Sequence, residues 1–119
     1  DRCLKNKTVN ISNGSQIRDF SFVDDISSGI INIFEKKLFL GEVVNLGSGN
    51  SISVKEVVNK IRKNIGKGTL KFGAMAVKKN ENKALYADTK KLYMKNRWRP
   101  KIDIDLGLKK TIEHYLNEK

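Results

Sequence analysis

The sequence is poor in residues that cross-link a chain or bind metal ions: it has one cysteine, one histidine and one proline among 119 residues. Because Cys3 has no second cysteine to pair with, an internal disulfide is excluded and an oxidising compartment gains no support. Neither Cys3 nor His114 has further ligand-type residues at metal-site spacing. We therefore predict no metal site and no catalytic thiol.

Long apolar runs are also missing. No stretch approaches the roughly 18 residues that a membrane span requires, and none resembles the apolar core of a signal peptide. We accordingly expect no membrane partner and a cytoplasmic location. The length suits one domain, and a hydrophobic content of 39% permits a core that is lean in aromatic residues.

Acidic residues are scarce relative to basic ones. The chain has 24 Lys and Arg against 13 Asp and Glu, a net charge of +11. Such a surplus suits a nucleic acid, an anionic membrane or a phosphorylated ligand, or it forms a solvated surface. The cations are spread along the chain, and no helix-turn-helix, zinc-finger or aromatic RNA-binding signature accompanies them. A nucleic-acid partner is therefore not favoured, although a stand-alone basic module that binds nucleic acid or phosphate without catalysis remains the alternative.

Strand and helix patterns alternate along the chain, which indicates an α/β fold. Strands are predicted at 8–11, 17–22, 42–46, 69–72 and 85–87, with the strand at 42–46 largely buried. Helices are predicted to begin near Val23, at the Ser53–Glu56 capping box, at Asp88 and at Asp103. Two helices are expected to turn the following residues inward: Val23, Ile26, Ile30, Ile31 and Phe34 in the first, and Leu108, Ile112, Tyr115 and Leu116 in the last.

The most informative stretch is GSQIRDFSFVDD at residues 14–25: a glycine turn, an arginine on a strand, and a strand that passes directly into an acid-capped helix. It resembles the G-x-Q-x-R-D-F-x-Y-V-D-D segment of the NAD-dependent epimerase/dehydratase family, the extended short-chain dehydrogenases that modify nucleotide sugars. Two further blocks follow in the family's order. VVNLGSG at 43–49 is similar to its Y-N-I-G-S-G strand, and YADTKKL at 86–92 with WRPK at 98–101 is similar to its closing pattern.

The resemblance implies a position within a longer enzyme. Residues 1–119 would form a single C-terminal substrate-binding region plus a late strand and helix of the Rossmann-like sheet, without the N-terminal NAD(P)-binding region. The parent enzyme would use NAD or NADP to oxidise or reduce a nucleotide-diphosphate sugar at C4 during epimerisation, dehydration or reduction. The chain by itself is expected to bind no cofactor and to transfer no hydride. Partners would be the N-terminal Rossmann region and, through exposed surfaces, further copies of the chain.

Arg18 is the principal candidate for substrate binding. In the family the matching arginine contacts the diphosphate, and a guanidinium suits phosphate because it presents a rigid fork of donors. The alternative is a structural arginine paired with Asp19 or Asp25. Gln16 is predicted to flank the same ligand or to serve as a turn residue, and Asn45 to fix the following loop or to touch the ligand.

Lys78 and Lys83 complete the predicted substrate-binding set. The family often has arginines in this region, and lysine keeps the charge while losing the bidentate fork. We assign no catalytic and no cofactor-binding residue. Tyr86 and Lys90 have the spacing of the family's catalytic pair but lie outside a common helix. The Gly47–Gly49 turn lacks the third glycine of a dinucleotide loop, because Ile52 stands at that position.

Overall fold

A computed structural model describes residues 1–77 and 79–117 and shows a mixed α/β fold. The elements, in chain order, are β1 (Thr8–Asn10), β2 (Ile17–Asp19), α1 (Val23–Lys36), β3 (Ser51–Ser53), α2 (Val54–Ile65), β4 (Thr69–Lys71), β5 (Ala84–Leu85), α3 (Lys90–Asn96) and α4 (Ile104–Asn117). The predicted α/β class is confirmed. Four of the five predicted strands are present in shorter form, and all four predicted helices are present.

The strands form two small sheets. In the first, β1 and β4 are parallel, with Val9 opposite Leu70. In the second, β2 is the central strand, antiparallel to β3 and parallel to β5. Arg18 is therefore flanked on both sides, by Ile52 of β3 and Leu85 of β5. This register places the strongest binding candidate in the middle of the three-stranded sheet.

Helix α2 begins at the capping box that its sequence predicts. The Ser53 hydroxyl accepts a hydrogen bond from the Glu56 N–H, while the Glu56 carboxylate accepts one from the Ser53 N–H, which completes a capping box. Gly66 ends the helix in the left-handed region at φ 77°. Asp103 begins α4 by accepting a hydrogen bond from the Leu106 N–H at 2.8 Å.

The prediction of a buried strand at 42–46 is wrong. These residues form no strand, and the Val43 side chain is 86% exposed. An apolar run becomes a strand only where another strand offers its N–H and C=O groups, and the part of the chain that the structure describes places none beside it.

The predicted inward faces of α1 and α4 are also largely wrong. In α1, Val23, Ile31 and Phe34 are 65%, 56% and 76% exposed. The residues that α1 buries are Asp25 and Gly29. In α4, Tyr115 and Leu116 are 50% and 53% exposed, whereas Leu108 and Ile112 are half-buried.

The contacts made by the buried side of α1 explain why its apolar side faces solvent. The Asp25 carboxylate accepts hydrogen bonds from the backbone N–H groups of Lys101 and Ile102, each at 2.9 Å. Gly29 lies so close to Trp98 that an added Cβ would stand 3.0 Å from its ring. Specific polar and close-packing contacts thus fix this side of the helix inward, and the apolar side faces outward.

The chain exposes more surface than a typical globular protein of its size. Its accessible area is 8576 Å², whereas a folded monomer of 13.5 kDa has about 6,500 Å². Its radius of gyration is 16.8 Å, against about 13.5 Å for a compact domain of this length. Leu92 is the largest side chain that is fully buried among the described residues. The core is therefore thin, and broad apolar surface lies outside it.

Candidate functional site

Arg18 is held in place by three acceptors. Its Nη1 donates to the carbonyl oxygens of Ile17 at 2.8 Å and Asn82 at 2.9 Å, and its Nη2 donates to Glu81 Oε1 at 2.8 Å. A guanidinium carries five N–H groups, so the Nε–H and one Nη2–H have no acceptor within the described ranges. The side chain is 23% exposed. It therefore combines a fixed orientation with two N–H groups that remain for a ligand.

An open cavity of about 470 Å³ lies beside Arg18 and falls within the size range of small-molecule sites. Its polar lining comes from Arg18, Asp19 and Asn45, and its wall from residues 85–87. The Asn45 Nδ2 donates to the carbonyl oxygen of Asp88 at 3.3 Å, which leaves its second Nδ2–H and its Oδ1 without a partner among the described residues. The structure thus brings Arg18 and Asn45 to one cavity.

Gln16 lies behind Arg18 and is only 7% exposed. Its Nε2 donates to Glu81 Oε2 at 3.2 Å, and its amide also exchanges hydrogen bonds with the Ser12 hydroxyl. Glu81 therefore accepts from Arg18 through one oxygen and from Gln16 through the other. The role predicted for Gln16 beside a ligand stays a prediction, and its amide is engaged within the protein.

The two predicted lysines have different outcomes. Lys83 is exposed, and its carbonyl oxygen accepts a hydrogen bond from the Ile17 N–H at 2.8 Å, so its backbone lies just before β5 and beside the residue that precedes Arg18. Lys78 lies outside the described residues. Arg18 is paired with an acidic residue, as the structural alternative expects, but that residue is Glu81, and neither Asp19 nor Asp25 is a partner.

The carboxylate of Asp19, the last residue of β2, lies against the glycine turn at residues 47–49. Its carboxylate accepts hydrogen bonds from the N–H groups of Ser48 at 3.0 Å, Gly49 at 2.9 Å and Ala87 at 3.3 Å, and from the Ser48 hydroxyl. Burial by itself raises the pKa of Asp19, but these hydrogen bonds outweigh it and hold the pKa below its usual 3.8. The turn therefore already holds an anion, and that anion belongs to the protein.

The turn consequently offers no phosphate cradle, because the N–H groups that would form one already donate to Asp19. Tyr86 and Lys90 do not form a catalytic pair either. Tyr86 lies between β5 and α3, and Lys90 is the first residue of α3, so the two side chains do not share a helical face.

Glu81 is the functional candidate that sequence reasoning missed. It lies 63 residues from Arg18 in the chain, in a segment without a regular hydrophobic period. Nothing in the sequence indicates that its carboxylate meets Arg18 and Gln16. Among the described residues, no group of three His, Cys, Asp or Glu side chains is placed to hold a metal ion, and no helix is long and apolar enough to cross a membrane.

Comparison with known proteins agrees with this architecture. Residues 2–111 match the protein family described as GDP-mannose 4,6 dehydratase. The UDP-glucuronate 4-epimerase of Thermodesulfobacterium geofontis is 35% identical over 100 residues, which are 83% of this chain and 30% of that enzyme. The chain therefore belongs to the GDP-mannose 4,6 dehydratase family, within the NAD-dependent nucleotide-sugar epimerases and dehydratases of the extended short-chain dehydrogenase class.

Solved structures of this class share the fold. The UDP-glucuronic acid 4-epimerase of Bacillus cereus, solved with UDP-glucuronic acid and NAD, aligns with a TM-score of 0.83 at 27% identity over 98% of this chain and 37% of that one. The dTDP-glucose 4,6-dehydratase of Bacillus anthracis, solved with NAD, has a TM-score of 0.83 at 26% identity over 96% and 36%. The chain thus spans about a third of the length of these proteins.

The described residues do not fit the dinucleotide that these structures contain. In the glycine turn at residues 47–49, the N–H groups of Ser48 and Gly49 donate to Asp19, and the sequence contains no dinucleotide fingerprint.

Proposed function

We propose that this chain is the nucleotide-sugar-binding region of an NAD(P)-dependent epimerase, dehydratase or 4-ketoreductase. The observation that carries the proposal is the arrangement of Arg18: three acceptors fix the guanidinium, and two N–H groups remain beside an open cavity. A guanidinium held in this way recognises phosphate oxygens through charge-assisted hydrogen bonds.

The ligand of Arg18 is a diphosphate that links a nucleoside to a sugar. Arg18 supplies the main charge, Asn45 supplies a polar contact at the other side of the cavity, and Lys83 supplies a second cation from the neighbouring segment. Lys78 is a further candidate by its place in the sequence. The described contacts favour no particular base, and the relatives carry UDP, GDP, CDP or dTDP in their names.

The redox chemistry belongs to a cofactor-binding region elsewhere in the protein, which would hold NAD or NADP. Two observations support a large partner surface: the accessible area exceeds the expected value by about 2,000 Å², and α1 presents Val23, Ile31 and Phe34 to solvent. Such an area is comparable with the surface that one side contributes to a large interface. In the absence of that region, copies of the chain would associate through the same face. A cytoplasmic location remains a prediction from the sequence.

Isothermal titration of the 119-residue chain with UDP, GDP, CDP and dTDP tests the proposal. At least one diphosphate is expected to bind, and Arg18→Ala is expected to weaken that binding at least about tenfold, because one or two charge-assisted hydrogen bonds are lost. Arg99→Ala is the matched control. It removes the same charge from a guanidinium that lines a different cavity, and it should leave the affinity unchanged.

Two results would contradict the proposal. One is binding that Arg18→Ala and Arg99→Ala weaken equally, since this would reflect net charge alone. The other is preferential binding of an oligonucleotide whose affinity falls steeply and linearly with salt on logarithmic axes, which would favour the nucleic-acid alternative.

A further inference from the structure

The carboxylate of Glu81 lies at the centre of a hydrogen-bonded chain that ends at Arg18. Ser12 and the Gln16 amide are hydrogen-bonded to each other, Gln16 Nε2 donates to Glu81 Oε2, and Arg18 Nη2 donates to Glu81 Oε1. Glu81 is joined to Arg18 of β2 and to Gln16 just before that strand, although it belongs to the segment that leads into β5. Both of its oxygens are therefore engaged by protein donors.

We infer that Glu81 is a positioning residue: it fixes the direction of the Arg18 guanidinium and so sets its affinity for a diphosphate, without itself contacting the phosphate. This inference rests on the function proposed above. A negative charge beside a cation that must bind an anion lowers the electrostatic attraction for that anion. The arrangement is useful for binding only if the gain from fixing the guanidinium exceeds this electrostatic loss.

The other hydrogen bonds of Arg18 also support a fixed orientation of its guanidinium. The carbonyl oxygens of Ile17 and Asn82 both accept from Nη1, so together with Glu81 three acceptors surround the guanidinium. A free arginine side chain loses conformational entropy when it is ordered on a ligand. An arginine that is already ordered does not lose it again at binding. Gln16, buried at 7% exposure, holds the other oxygen of Glu81 and acts one step further from the ligand.

The direction in which Glu81→Ala changes the affinity for UDP distinguishes a positioning role from electrostatic competition with the diphosphate. Glu81→Ala raises the net charge by one. If Glu81 only competed with the diphosphate for Arg18, this variant would therefore bind UDP more tightly than the wild-type chain. The positioning role predicts the opposite: Glu81→Ala weakens UDP binding about tenfold, the equivalent of one charge-assisted hydrogen bond. Glu81→Gln keeps the length and one acceptor oxygen, and it should recover part of the affinity. Glu113→Ala is the charge-matched control on the exposed face of α4, and it should change nothing.

A double-mutant cycle shows whether Glu81 acts through Arg18. In the Arg18→Ala background, Glu81→Ala should cause no further loss of UDP affinity, because the guanidinium that Glu81 positions has been removed. An equal loss in both backgrounds would mean that Glu81 has only a general structural role and would overturn the inference. Tighter UDP binding by Glu81→Ala would also overturn it. If Arg18→Ala itself leaves UDP binding unchanged, the proposed function fails first, which is a different result.

A second measurement does not depend on ligand binding. ¹⁵N NMR of the arginine side chains reports how freely each guanidinium rotates. The wild-type chain should show one restricted Arg18 guanidinium, Glu81→Ala should release it, and Glu113→Ala should leave it restricted. Free rotation of Arg18 in the wild-type chain, or unchanged restriction in Glu81→Ala, would refute the positioning role even for a chain that binds no UDP. Urea denaturation of each variant shows that the comparison is made between folded proteins.

Discussion

The carboxylate of Asp19 accepts hydrogen bonds from both the backbone N–H and the hydroxyl of Ser48, 29 residues further along the chain. Together with the N–H groups of Gly49 and Ala87, these donors join three segments at one carboxylate. Asp19 directly follows Arg18, so this junction fixes the strand that presents the binding candidate.

Asp19→Asn is expected to lower the free energy of unfolding by about 1–3 kcal/mol near pH 7, since an amide cannot accept this set of donors as a carboxylate does. Urea denaturation measures the change. Asp24→Asn, an exposed position in the first turn of α1, is the control and should cost no more than about 1 kcal/mol. An equal loss in the two variants would contradict the role of Asp19.

The same carboxylate predicts a pH dependence. The pKa of Asp19 is lower in the folded chain than its usual 3.8, so Asp19 stabilises the fold above that value. As the pH falls through the folded-state pKa, this stabilisation is lost. The difference in unfolding free energy between wild type and Asp19→Asn should therefore be constant from about pH 7 to 5 and should shrink below about pH 4. A difference that does not shrink at all as the pH falls below the usual pKa of 3.8 would contradict it.

Gly47 should not tolerate a side chain, because an added Cβ would stand 2.7 Å from Ala87 Cβ and 2.8 Å from Asp19 Oδ2. Gly47→Ala is expected to destabilise the chain by about 1–3 kcal/mol through overpacking and displacement of Asp19. Gly41→Ala is the control: a Cβ there meets nothing within 4 Å and introduces only the left-handed strain of about 1–2 kcal/mol. If Gly47→Ala also weakens UDP binding while Gly41→Ala does not, the turn and the site are coupled.

Arg97 ends α3 in the left-handed region at φ 57°, a helix-end conformation in which glycine is the usual residue. Both Arg97→Gly and Arg97→Ala remove its contact with the Tyr93 ring, but only alanine keeps a Cβ in this conformation. We expect the glycine variant to be more stable than the alanine variant by about 1 kcal/mol. This reverses the order found in helix interiors, so an alanine variant of equal or greater stability in urea would refute it.

The exposed side of α1 predicts self-association. Phe34 is 76% exposed and lies on the same side as Ile31 and Val23. Sedimentation velocity should show concentration-dependent oligomers of the wild-type chain, and Phe34→Asp should shift them towards monomer because a charge opposes burial of the face. Asn64→Asp adds the same charge to an exposed position of α2 and should leave the association unchanged. A wild-type chain that is monomeric at all concentrations would contradict this prediction.

Local signals in the sequence determined the helix ends and the family. The Ser53–Glu56 capping box, the Gly66 stop and the Asp103 cap each act within four residues, so a linear reading finds them. The motif at residues 14–25 likewise predicts Arg18 as the binding candidate, and Ile52 in place of a third glycine indicates that the turn at 47–49 is not a cofactor loop. These features depend on backbone donors and side chains that are close in sequence.

Only the tertiary structure decided which face of α1 is buried and what holds Arg18. The apolar period of α1 predicted an inward face, but the backbone N–H groups at 101 and 102 hold Asp25 inward instead. The run at 42–46 is apolar yet remains unpaired, because a strand requires a partner that the described residues do not supply. The contact of Arg18 with Glu81 spans 63 positions, and hydrogen bonds over such separations follow from chain topology, which no local pattern of residues encodes.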